Sequence, residues 1–219
     1  MSTALPPSAK IALAHLPMRR LHAVQPLVGD LGLMRARVHE ICGPARISLA
    51  AFLLQETSGT VIWVIPSWRP ERVYPPGLLP YCDPNRIIFA RIRRPEDALW
   101  AVEEALRSGA APLVLADLTD PPALTPIRRL HLAAEAGIEA AHRFARPAPL
   151  GILLTAGTGG AQGVESRWHM APTASGMTAF DYRAAWVLTR LRARTDPPAR
   201  WHVRRAKGQI TLDPRPYDL

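Results

Sequence analysis

Lysine is almost absent from this chain: the 27 basic residues are arginine except for Lys10 and Lys207. Cysteine is equally scarce. Cys42 and Cys82 lie far apart with no Cys or His companion at ligand spacing, so neither a disulfide framework nor a zinc site is expected, and both read as reduced, buried thiols. No apolar run approaches the ~18 residues that a membrane span needs. The start, MSTALPPSAK, also lacks the basic and apolar regions of a secretory leader, so a cytoplasmic protein with no membrane partner is expected. The seven histidines show no HxH or HExxH spacing, and no Ser/His/Asp arrangement stands out. No catalytic centre and no metal site are therefore assigned.

What is present suits a globular protein. At 219 residues and 48% hydrophobic content the chain can bury one sizeable core. A net charge of +9 is compatible with nucleic-acid affinity, because guanidinium groups pair well with phosphate. The same arginine bias, beside 23 prolines and abundant alanine, also matches a codon-composition effect, so charge alone decides little.

The organising stretch is RVHEICGPARISLA, Arg37 to Ala50: an apolar strand over Val38 to Cys42, a tight Gly43-Pro44 loop, and a helix opening near Ile47 and running past Leu54. That is the layout of a phosphate-binding loop. Such a loop needs a late glycine, a lysine on the β/γ-phosphates and a Ser/Thr for Mg²⁺. Those positions are held here by Ser48, Leu49 and Ala50.

Before this stretch, Met1 to Gly29 reads as a leader or docking arm with one candidate helix in AKIALAHLPMRRLHA. After it, TVIWVI, IIFA within Arg86 to Arg91, Leu113 to Ala116 and GILLT read as strands buried on both faces. They alternate with a helix from Pro95 to Gly109 and another from about Pro126 to Ala136, which predicts a parallel α/β sheet with helices on both faces. Beyond Thr155 the pattern changes. Glu165 to Ala171, Ala185 to Arg194 and Arg200 to Arg205 read as strands, the last two joined through TDPPAR as an antiparallel C-terminal hairpin.

The order of these motifs resembles the RecA family over about residues 30 to 205. GLMRARVHEICGP is similar to the run entering RecA's phosphate loop, and the spacing from Glu96 to Asp117 places Asp117 at the Walker B aspartate. GGAQGVESRWHM resembles the segment after the family's DNA-binding loop, and VLTRLRARTDPP its late strand. There Arg192 and Arg194 match basic residues that reach a neighbouring subunit's nucleotide. The WRPERVYPPGL loop and the RWHV strand look most like the ImuA branch, RecA-like accessory proteins of SOS mutagenesis cassettes once likened to the cell-division inhibitor SulA. The resemblance implies a RecA-like P-loop NTPase core over 30–206 with a degenerate Walker A, flanked by a leader, 1–29, and a tail, 207–219.

At the degenerate loop, Leu49 removes the charge that would meet the β/γ-phosphates, and Ala50 removes the hydroxyl for Mg²⁺. Arg46 supplies a fork for phosphate but cannot hold a metal. Glu71 in PSWRPE is the only carboxylate near the position of the family's catalytic glutamate, about three residues out of register. Asp117 then reads as a cap in DLTDPP. No ATP cofactor and no ATPase activity are expected. The family's first DNA loop is cut away between Pro126 and Gly151 and its second shrinks to AGTGG.

What remains is a candidate surface of Arg167, Trp168, Arg190, Arg192, Arg194, Arg200, Trp201 and Arg204 for single-stranded DNA or a partner chain, with a basic face over a tryptophan-containing core as the alternative. The implied role is a non-catalytic accessory factor in error-prone translesion synthesis. It bridges ImuB, and through it a DnaE-type polymerase, to RecA, to a second copy or to DNA. A divergent DNA-dependent ATPase and a SulA-like division inhibitor are the alternatives.

Overall fold

The computed structural model describes residues 23–173, 184–206 and 208–213, so the candidate leader helix lies outside the described residues except for its last position. Three strands come first: β1 (Val24–Val28), β2 (Leu31–Met34) and β3 (Val38–Cys42). Then follow helix α1 (Arg46–Gln55), β4 (Val61–Pro66), β5 (Ile87–Ile92), helix α2 (Pro95–Ser108), β6 (Leu113–Asp117), helix α3 (Leu124–Arg143) and β7 (Leu150–Thr155). The chain finishes with β8 (Ser166–Pro172), β9 (Ala184–Ala193), β10 (Ala199–Ala206) and β11 (Gln209–Leu212).

The fold is α/β, built on one nine-stranded mixed sheet in the order β11-β10-β9-β8-β3-β7-β6-β4-β5. From β8 to β5 every pair is parallel; from β8 to β11 every pair is antiparallel. The antiparallel end is thus larger than the hairpin expected from the sequence. β11 and the separate β1–β2 hairpin are strands that the sequence pattern did not signal.

Alternation along the buried strands divides the core. Ile41, Trp63, Leu113, Leu115, Ile152 and Leu154 face α1, whereas Val38, Val64, Val114, Ala116 and Leu153 face α2 and α3. Helix α1 is apolar around its whole circumference and buried from Leu49 to Leu54, because it lies between the sheet and the β1–β2 hairpin. Each such Leu or Phe contributes about 1.5–3 kcal/mol of burial. Helix α2 opens on Pro95 with Glu96 and Asp97 in its first turn and ends at Gly109 in the left-handed conformation, as its sequence dictates.

Helix α3 runs past the expected end at Ala136. A Cβ on Gly137 would stand 2.1 Å from the Leu106 carbonyl oxygen, so this glycine marks the close crossing of α2 and α3 rather than a stop.

Candidate functional site

The sheet changes direction of connection at β3, which lies between β7 and β8. In open α/β sheets, the crevice outside the carboxyl ends of the strands at such a point is where ligands bind. Here that position carries the Gly43-Pro44 turn, and its backbone is closed onto β8. Ala45 N–H donates to the Met170 carbonyl at 3.0 Å, and Arg46 N–H to the Gly43 carbonyl at 3.3 Å. Gly43 has φ +94°, and a Cβ there would meet the Met170 oxygen at 2.5 Å and the His169 ring at 2.8 Å.

A helix start that cradles an anion needs outward N–H groups. In this turn, Ala45's N–H is already bonded to a neighbouring strand. The helix begins at Arg46, so Ser48, Leu49 and Ala50 fall inside α1, with Leu49 and Ala50 fully buried.

Asp117, at the end of β6, does not serve as a turn cap. Its Oδ1 accepts from the Arg69 guanidinium at 3.1 Å, and Arg69 also donates to the Leu118 carbonyl at 3.4 Å. Burial raises the Asp117 pKa, the Arg69 and Arg46 charges oppose that rise, and Glu71 adds to it. The carboxylate that ends β6 is thus engaged by an arginine from the PSWRPE connection. Beside it a cleft of about 210 Å³ is lined by residues that include Trp68, Leu99, Asp117, Thr119 and Asp120. Among the described residues no group of three or more His, Cys, Asp or Glu side chains converges to hold a metal.

The most densely bonded side chain near the switch point is Glu40, which the sequence did not single out. It is fully buried on β3. One carboxylate oxygen accepts from Thr155 Oγ1 at 2.7 Å and Gly160 N at 2.9 Å, and the other accepts from Ala161 N at 3.1 Å and from Arg167 Nε. Gly159, with φ +72°, passes so close that an added Cβ would lie 2.6 Å from Glu40 Oε1. Glu40 therefore holds the AGTGG loop against the sheet. The adjacent Cys42 thiol is buried and pushed up to about 12, first by desolvation and then by Glu40.

His39 faces the opposite side of β3. Its Nδ1 lies 2.6 Å from Ser166 Oγ and its Nε2 2.9 Å from the Met34 carbonyl oxygen, and burial pushes its pKa down to about 4. An unfolded chain takes up this proton near pH ~6.5 while the folded chain does not. The stabilisation from neutral His39 is thus complete above pH ~6.5 and declines as pH falls toward the folded value of about 4, a loss of up to ~3 kcal/mol. Urea unfolding of wild type and His39→Gln between pH 7 and pH 4 checks this. The variant should show the flatter profile, and equal slopes would count against the assignment.

The expected basic surface divides into two sets. Trp168 and Trp201 are buried on the α1 face with ring centroids 5.9 Å apart, so they are core residues, not surface ones. Arg190 lies over both rings, at 5.6 and 5.3 Å, and donates to the Pro197 carbonyl at 2.9 Å. Arg167 bonds Glu40 and the Ala161 carbonyl. These four residues hold the fold together. Arg192 and Arg204 are exposed, Arg200 is half-buried, and Arg194 is an exposed side chain 3.7 Å from Glu165.

A β-bulge at Arg167/Trp168 causes the division: it sets Arg190 opposite Trp168 and Arg192 opposite Arg167, on different faces. Periodicity alone would have put Arg190 and Arg192 on one face.

No protein-family model matches the chain, and no curated protein sequence matches it significantly.

Proposed function

We propose that the chain is a RecA-like, non-catalytic accessory factor in SOS-induced, error-prone translesion synthesis that joins ImuB and its DnaE-type polymerase to RecA. The observation that carries this reading is the placement of β3. The strand entering the glycine turn lies inside the sheet, parallel strands follow it on one side, and antiparallel strands close the other side. A RecA-type core is laid out in this way.

The absence of turnover is supported by burial of Leu49 and Ala50 and by the Arg69 bond to Asp117. A phosphoryl-transfer site needs a cationic cradle and a metal-organising carboxylate. Here the first position is apolar and the second is already paired.

The test is co-purification of the full chain with ImuB and RecA from damage-induced cells, together with ATP turnover with and without DNA. Both partners should be retained and no DNA-stimulated turnover seen. Robust DNA-stimulated hydrolysis, or retention of neither partner, would overturn the reading.

A further inference from the structure

The antiparallel end of the sheet has two unlike faces. Toward α1 it buries Trp168, Trp186, Leu188, Trp201 and Val203. The register places the alternate residues on the other face: Arg192 beside Arg167, Arg200 in line with Thr189 and His169, His202 beside Val187, and Arg204 between Ala185 and Thr211. Helices α2 and α3 pack on the parallel strands, and among the described residues no helix lies over this face; Arg192, His202 and Arg204 are exposed there. Where it borders α3, a recess of about 330 Å³ is lined by Arg37, Arg128, His131, Leu132, Glu135 and Arg194.

We propose that this face binds the phosphodiester backbone of a nucleic acid, single- or double-stranded, without stacking on or reading its bases. The positive charge is arrayed along adjacent strands: Arg192, Arg200 and Arg204 on the sheet, with Arg194 and Arg128 at the α3 border. Part of it is locally balanced, since Arg37 pairs with Glu135, Arg194 approaches Glu165, and Asp213 lies beside His202 and Arg204. Arg37, Arg128, Arg192, Arg194 and Arg204 outnumber Glu135, Glu165 and Asp213 by five to three, which suits a polyanion with charge repeated along its length.

Among the described residues, the tryptophans of these strands point into the core on the opposite side, so none of them is placed to stack on a base. A protein partner would need apolar or aromatic anchors at its centre. Among the described residues, the exposed Tyr74, Leu79 and Ile88 lie on β5 or the connection before it, the exposed Trp100 lies on α2, and Leu132 is the exposed large apolar side chain that lines the recess at the basic face. The inference rests on this charge and burial pattern and not on the RecA-like reading.

Fluorescence anisotropy of the full chain with a labelled mixed-sequence oligonucleotide and its duplex, over about 50–300 mM salt, tests it. Both should bind without sequence preference and weaken steeply with salt. In the variant Arg192→Ala/Arg194→Ala/Arg204→Ala the log K versus log salt slope should become shallower by about 2–3, with affinity at low salt down on the order of 10²-fold. Arg72→Ala/Arg91→Ala/Arg93→Ala removes the same charge from exposed positions around β5 and should change affinity less than about 3-fold.

All six positions are exposed, so unchanged thermal midpoints are expected and exclude misfolding as the cause. Three outcomes overturn the proposal: no binding at the lowest salt, equal losses in the two variants, or competition by poly-glutamate as strong as by an oligonucleotide of equal charge. The last would instead identify an acidic protein partner.

Discussion

Glu40→Ala should cost about 3–5 kcal/mol of folding stability. The side chain is fully buried, and its carboxylate is the shared acceptor for Thr155 Oγ1, Gly160 N, Ala161 N and Arg167 Nε. Removing it leaves a mostly buried guanidinium with only the Ala161 carbonyl at 2.8 Å, and it leaves two backbone N–H groups without their acceptor. Such orphaned donors cost about 1–3 kcal/mol apiece. Since a domain of this size is stable by about 5–15 kcal/mol, the variant is expected to be marginal at 37 °C.

Glu40→Gln keeps the shape but turns an N–H₂ toward groups that are themselves donors, so a loss of about 1.5–3 kcal/mol is expected. Urea titrations of the three proteins measure both. If Glu40→Ala lies within about 1 kcal/mol of wild type, Glu40 is not the anchor of the 156–161 loop.

Leu49→Lys, the substitution that restores the letter of a phosphate-binding loop, is expected to unfold the protein and not to recover nucleotide binding. Leu49 has no exposed surface and sits in the core cluster with Ile41, Phe52 and Trp168. A lysine there either carries its charge into that cluster or is held neutral. Holding it neutral at pH 7 costs about 4–5 kcal/mol, and the lost aliphatic burial adds ~2 kcal/mol.

Leu49→Met, which keeps volume and polarity, should stay within about 1.5 kcal/mol of wild type. Denaturation midpoints and binding of a fluorescent ATP analogue with Mg²⁺ separate the cases. A folded Leu49→Lys protein that bound the analogue would show that the position is a damaged nucleotide contact and not a core site.

These outcomes depend on features of different legibility. Residue types along RVHEICGPARISLA are enough to place a strand, a glycine turn and a helix, because β-preferring apolar runs and the φ > 0 requirement at Gly43 are local properties. The lack of a lysine at position 49 and of a hydroxyl at position 50 is equally local, since it is read directly from the residues there.

Arg69 could not be matched to Asp117 in this way, because the two are joined only when β4 and β6 pair and bring the PSWRPE connection to the β6 end. Glu40 lies in a segment that the sequence marks only as an apolar strand. Its partners lie more than a hundred positions away and meet it only through the β3–β7 and β3–β8 pairings.

The sequence by itself therefore determined the kinds of elements from β3 to β10, their order and the apolar side chains at positions 49 and 50, since period, turn residues and side-chain identity act over a few residues. Tertiary structure alone decided which arginines face water. That choice depends on a single bulge at Arg167/Trp168, which reverses the facing of β9 past that point, and on where α2 and α3 stop covering the sheet. Both are contacts between distant segments and leave no periodic trace in any one of them. The same reversal puts Arg190 over the tryptophans and Arg192 in solvent, although only Leu191 separates them.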